Sequence, residues 1–214
     1  MTESRSDTPA APHADEHTVE RMERLVESDP DNANAHYNLG LALAARQQWD
    51  PSVAEFRAAL KLKPGLLEAR VNISGILLAR GDYDGCIEES LKALEFNPNL
   101  TEACINIGIA FLQKGMHAQA IESFHKALAI NPRAVAAHLN LGNIYLAIVE
   151  IEKSIEHNAK AAELKPDYGM AFNNLAVAYH HAGDDETART HAREALRLGY
   201  AVHPEFLKLI GAES

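Results

Sequence analysis

The side chains with the most chemistry to offer are eleven histidines, two cysteines and a column of asparagines. His180 and His181 are followed by Asp184 and Asp185, a composition that could hold a divalent metal. Adjacent residues on a helix point about 100° apart, and Gly183 interrupts the helix between the two pairs, so the four read as the rim of a binding surface rather than as ligands. His36 and His138 share a column with Arg70, Cys104 and Phe172 that packs inward, whereas His117, His125 and His157 read as turn or outer-face residues. Cys86 and Cys104 belong to no CxxC pair and have no basic neighbour to stabilise a thiolate, so they read as small core residues in a reducing, cytoplasmic setting. No glycine-rich phosphate loop, nucleophile elbow, HExxH or paired-carboxylate constellation is present. Catalysis, a cofactor and a bound metal are therefore not expected.

The asparagines are the ordered feature. Asn38, Asn72, Asn106, Asn140 and Asn174 stand 34 residues apart. The interval is shared by Pro30, Pro64, Pro98, Pro132 and Pro166, by Leu39, Ile73, Ile107, Leu141 and Leu175, and by Ala59, Ala93, Ala127, Ala161 and Ala195. Each unit reads as two helices. The first runs to about the fourteenth residue, a turn follows (Gly81-Asp82, Gly115-Met116, Gly183-Asp184), and the second ends before the next proline, which cannot continue it. The unit from Val135 departs most: Val149 stands at the turn glycine, Ser154 at a small-residue position and Asn158 where Phe56 and Phe124 stand. That turn is expected to be longer or less well held, through repeat drift or as a hinge.

Charge and composition narrow the class. The 214 residues are 47% apolar and 23% charged, as in a globular chain, and the net charge of −10 speaks against nucleic acid or anionic lipid as a partner. No stretch is long and apolar enough to insert into a membrane. The acidic start, with nine acids before residue 32 and no apolar run, does not read as a leader.

The 34-residue period, with Leu39-Gly40, Phe56, Ala59 and Pro64 in the first unit, resembles the tetratricopeptide repeat. The resemblance implies an all-α fold, an α-α superhelix (solenoid) of antiparallel helix pairs. It divides the chain into a flexible acidic tail (1–16), an N-terminal half-repeat helix (17–32), five repeats (33–66, 67–100, 101–134, 135–168, 169–202) and a C-terminal capping helix and tail (203–214), with Phe206, Leu207 and Ile210 facing inward. In this family one side of the first helices lines a groove. Here that side carries Tyr37, Val71, Ile105, Ile109, Leu112, Leu139 and Leu146, with Asn143 and the asparagine column among them. The second helices read as a solvated outer face carrying Arg57, Lys61, Glu88, Glu89, Lys92, Lys153 and Glu156. The column resembles the asparagine ladder of the substrate-recognition region of O-linked N-acetylglucosamine transferase. That implies a grip on a partner's backbone, since an amide can donate and accept at once; the alternative is that each amide bonds locally. The expected role is a scaffold or adaptor that binds an extended or helical apolar segment of another protein. The alternative is a homo-oligomer, or a self-filled groove, with residues 1–16 or 203–211 as the plug.

Overall fold

The computed structural model describes residues 16–212, which form twelve helices and, among the described residues, no strand. The helices are α1 (Glu16–Ser28), α2 (Ala33–Ala45), α3 (Trp49–Leu62), α4 (Leu67–Ala79), α5 (Tyr83–Phe96), α6 (Thr101–Gln113), α7 (His117–Ile130), α8 (Val135–Ala147), α9 (Ile151–Leu164), α10 (Gly169–His181), α11 (Asp185–Arg197) and α12 (Pro204–Leu209). The fold is an all-α solenoid of helix pairs. It divides into two compact units, one ending at Pro98 and one beginning at Asn99. In the first, α2 packs on α3, α4 on α5 and α3 on α4, with α1 against α2. In the second, α6 packs on α7, α8 on α9 and α10 on α11, while α7 meets α8 and α9 meets α10. No helix among the described residues is long and apolar enough to cross a membrane.

The same turn closes every pair. Gln47, Gly81, Gly115, Val149 and Gly183 have φ of 59°, 79°, 72°, 64° and 82°. In each case the next amide reaches back to the first helix, as from Asp82 N to Leu77 O at 2.9 Å and from Glu150 N to Tyr145 O at 2.8 Å. These are the bonds of a left-handed helix end. The turn at Val149 is therefore the same length as the others, contrary to the longer turn expected there. Its hydrogen bonds satisfy the carbonyls whatever side chain sits at the bend, but a β-branched residue at positive φ is strained. Side-chain caps start several helices: Asn32 Oδ1 accepts from the amides of Asn34 and Ala35 at 3.1 Å, and Asp82 Oδ1 from Gly85 at 3.0 Å.

Within a pair the helices nearly touch. A Cβ on Gly40 would stand 2.7 Å from the Phe56 ring, and one on Gly108 2.7 Å from the Phe124 ring. Both phenylalanines are fully buried. Where the facing residue shrinks, the glycine is replaced: Ser74 faces the site of Ser90, and Ala176 that of Ala192, all fully buried. A serine reinforces the contact in two pairs, Ser52 Oγ donating to Gly40 O at 2.7 Å and Ser154 Oγ to Gly142 O at 2.8 Å. In the fourth pair, fully buried Asn158 takes the phenylalanine's place. Its Nδ2 donates to Ser154 O at 3.0 Å, but its Oδ1 has no partner, which costs about 1–3 kcal/mol.

The second unit is closed at its end by α12. Ile210 is buried among Ala176, Ala188 and Ala192, with Phe206 and Leu207 packed beside it, and Arg189 Nη1 donates to Ile210 O at 2.8 Å.

Two outcomes follow from this packing. Gly108→Ala should cost about 1–3 kcal/mol through overpacking and Phe124→Ala about 3–5 kcal/mol through a cavity. The double variant, which rebuilds the Ala176/Ala192 pair, should lose less than the sum of the two in urea titrations. Val149→Gly should raise stability by about 1 kcal/mol by relieving the left-handed strain, read as a higher urea midpoint.

Candidate functional site

The outward side of the first helices carries the side chains singled out above, half-buried for the most part. In the first unit Tyr37 lays its ring 5.6 Å from that of Phe56, and its hydroxyl accepts from Asn72 Nδ2 at 3.3 Å. Val71 beside Asn72 is half-buried; Asn38 and Leu41 are exposed. In the second unit Ile105, Asn106, Ile109 and Leu112 on α6, Asn140 and Leu146 on α8, and Asn173, Asn174 and Val177 on α10 are half-buried, and Asn143 is exposed. Leu139 differs: it is 6% exposed and belongs to the core with Ala161, Ala162, Ala171 and Leu175. Its side chain is closed off by α9 and α10, so it does not line an open face.

The asparagines are partly engaged within the protein. Asn72 bonds Tyr37 of the preceding repeat, Asn174 Nδ2 donates to Asn143 Oδ1 at 2.8 Å, and Asn140 Nδ2 donates to Ala136 O at 2.8 Å in its own helix. Two of these bonds tie neighbouring first helices together, α4 to α2 and α10 to α8. The local alternative raised from sequence is thus realised for these three amides.

A second polar column lies inside each pair, where the fourth residue of the first helix faces the second helix. His36 Nδ1 meets Glu55 Oε2 at 2.6 Å while its Nε2 meets Pro30 O at 2.9 Å. Burial opposes charge on His36, but Glu55 and the Pro30 carbonyl outweigh it and hold its pKa above the ordinary value. Arg70 pairs with Glu89 at 3.3 Å, both largely buried. Glu89 therefore faces inward rather than joining the solvated face expected for it. In the fourth pair His138 Nδ1 meets His157 Nδ1 at 3.0 Å. His157 is a half-buried partner within the repeat, not an outer-face residue; burial first, and then His138, hold its pKa below the ordinary value. The inward position of Glu89 and His157 was available from sequence, since each is 19 residues after an inward-facing Arg70 or His138, as Glu55 is after His36.

His180 Nδ1 meets Asp185 Oδ1 at 2.6 Å, and its ring lies edge-on to Phe206 at 5.8 Å. No three His, Cys, Asp or Glu among the described residues stand where they could hold a metal. Cys86 and Cys104 are buried, and burial raises both thiols, Cys86 to about 11, so neither offers a thiolate near neutrality. The terminal segment considered as a plug, 203–211, instead has its apolar side chains packed against α10 and α11. The other candidate, 1–16, lies outside the described residues but for Glu16.

Comparison with known proteins agrees with this architecture. Models of the tetratricopeptide repeat match residues 19–67 and 169–200, and a TPR repeat model matches residues 108–148. No curated protein matches by sequence. Among solved structures, pilF of Pseudomonas aeruginosa is similar with a TM-score of 0.77 at 20% identity, over 92% of this chain and 91% of that one. MamA of Desulfovibrio magneticus RS-1 has a TM-score of 0.68 at 22% identity, over 78% of this chain and 94% of its own. YrrB, described as a TPR protein with an unusual peptide-binding site, has a TM-score of 0.63 at 17% identity, over 84% and 93%. The helix pairs, their common turn and these matches together show that the chain carries tetratricopeptide repeats.

Proposed function

We propose that this chain is a protein-interaction scaffold whose second unit holds an apolar peptide segment of another protein against the outward side of α6, α8 and α10. The carrying observation is a row of half-buried apolar side chains, Ile105, Ile109, Leu112, Leu146 and Val177, with amides running through it. A side chain half-covered by its neighbours still presents apolar area to water. Covering it contributes about 25 cal/mol per Å².

The asparagines take a supporting part in this reading. Each amide offers two donors and an acceptor oxygen, and the internal bonds of Asn140 and Asn174 use one donor each. The remaining capacity can meet peptide groups of a bound segment. At about 1 kcal/mol net for each hydrogen bond, Asn106, Asn140 and Asn174 cannot offset the ordering of a flexible peptide alone. The apolar row supplies most of the affinity, and the amides fix direction and register. YrrB, a chain of the same fold, is described as having a peptide-binding site.

Selection from a random peptide library displayed on phage tests this. The protein should enrich segments with regularly spaced apolar residues, and Ile109→Glu should abolish that enrichment. Asn106→Ala with Asn140→Ala should weaken capture at least severalfold with the helical circular dichroism unchanged. No enrichment by the wild type, or equal capture by Ile109→Glu, removes the reading; equal capture by the double asparagine variant removes only the amides from it. The amides also differ in stability. Asn72→Ala should cost about 1 kcal/mol for the bond to Tyr37, whereas Asn38→Ala, at an exposed helical position, should gain about 0.5 kcal/mol by propensity; urea midpoints distinguish them.

A further inference from the structure

The fourth helix pair departs from the first at two buried contacts at once. Where the first pair opposes a histidine to a carboxylate (His36 and Glu55) and the second an arginine to a carboxylate (Arg70 and Glu89), the fourth opposes two imidazoles, His138 and His157, with Nδ1 atoms 3.0 Å apart. At the fourth pair's closest approach, the buried Asn158 oxygen has no partner.

The hydrogen-bond roles are fixed by elimination. Pro132 O, 3.1 Å from His138 Nε2, can only accept, so His138 Nε2 carries a hydrogen. In the neutral ring Nδ1 of His138 is then the acceptor, and His157 Nδ1 donates to it. One added proton can be shared, with His138 donating from both nitrogens and His157 switching tautomer. A second proton leaves two donors facing each other with no acceptor, and two positive charges in contact.

The surroundings provide little compensation. From α7, His125 lies 6.0 Å from the His157 ring, centre to centre, and its Nε2 meets Tyr145 OH at 3.1 Å. From α8, Tyr145 stacks on His157 at 5.5 Å, and Lys153 Nζ of α9 lies 5.4 Å over the opposite partner of that stack, the Tyr145 ring. Before α8 stands Arg133, and on α9 stand Glu156 and Glu163, the latter held by Lys160 at 2.8 Å. From the α10 side comes Tyr168, whose ring is covered by Lys165 at 4.2 Å. Glu156 is the one carboxylate near His157 that favours its charge, and it does not outweigh burial and the neighbouring histidines.

We propose that the α8–α9 pair is an acid-labile joint: uptake of a second proton by the facing His138 and His157 drives the two helices apart, and the parting hydrates the unpartnered oxygen of Asn158. A histidine whose folded pKa lies below its unfolded value contributes stability above the unfolded pKa, and that contribution is lost as pH falls. His157 is of this kind. His36 is the reverse, its contribution present at low pH and lost as pH rises through its raised pKa. Acidification therefore loosens the fourth pair while tightening the first. Because α8 carries Asn140 and Leu146, opening this joint also displaces part of the proposed peptide-binding face. The joint itself does not depend on that face.

Hydrogen exchange of the full chain, followed by mass spectrometry at about pH 7.5 and about pH 5 and corrected for the chemical exchange rate, tests it. Peptides from α8 and α9 should lose protection at the lower pH relative to those from α2 and α3. His157→Glu, which recreates the His36–Glu55 arrangement, should abolish or reverse that loss. Unchanged relative protection in the wild type, or an equal loss in His157→Glu, overturns the proposal. Should His157→Glu not fold, nuclear magnetic resonance of the wild type decides: full protonation of both rings with α8 and α9 amide signals unmoved overturns it, and movement of those signals with the second proton supports it.

Discussion

Each repeat is governed by how closely its two helices approach. The buried space between the eighth residue of the first helix and the facing residue of the second is filled in different ways by the five pairs. Gly40 with Phe56 and Gly108 with Phe124 place the whole volume on one side; Ser74 with Ser90 and Ala176 with Ala192 divide it. Interiors are close-packed, so volume added on one helix must be removed from the other or the pair must move apart. The interhelix distance in turn sets where the fourth residue of the first helix meets the second helix, and so which polar groups become partners.

That constraint explains what the sequence revealed. The 34-residue period, the alanines and the Leu39–Gly40 pair are direct consequences of close packing, and they were enough to place helices that the structure finds at Ala33–Ala45 and Trp49–Leu62. The turn after α8 keeps the common length although its residue argues against it. Val149 is unfavourable at positive φ, but the hydrogen bonds from Val149 and Glu150 back to Leu146 and Tyr145 are those of the glycine turns. The backbone closes the turn and the side chain bears the strain. Leu139 shows the limit of assigning a face by helical angle alone. Its position is outward in the repeat, yet α9 and α10 cover it, whereas Ile105 at the equivalent place on α6 stays half-exposed.

Polar residues were harder to place because their partners lie in another helix. The asparagine column is obvious as a pattern, but nothing in it says that Asn72 bonds a tyrosine 35 residues earlier or Asn174 an asparagine 31 residues earlier. These bonds make the column part of the stacking of first helices. An amide that is already held has less rotameric freedom to lose on meeting a ligand. Internal bonding and recognition are therefore compatible: the bond that orients Asn174 also leaves its remaining hydrogen-bonding groups in a defined direction.

The fourth pair shows the cost of opposing two imidazoles where the first pair opposes a histidine, and the second an arginine, to a carboxylate. Asn158 substitutes for a phenylalanine and His157 for a glutamate, and both changes fall on one helix, α9, against one partner, α8. Neither alone prevents folding, since Ser154 still bridges to Gly142 and the turn at Val149 is intact. Together they concentrate incomplete hydrogen bonding and proton-dependent repulsion at one seam. In a repeat array, where each pair contacts only its neighbours, such a seam can open without melting the rest. Ser90 Oγ and Arg70 Nε of the second pair are unpartnered as well, so it is the facing imidazoles of His138 and His157, rather than the unpartnered oxygen, that set the fourth pair apart.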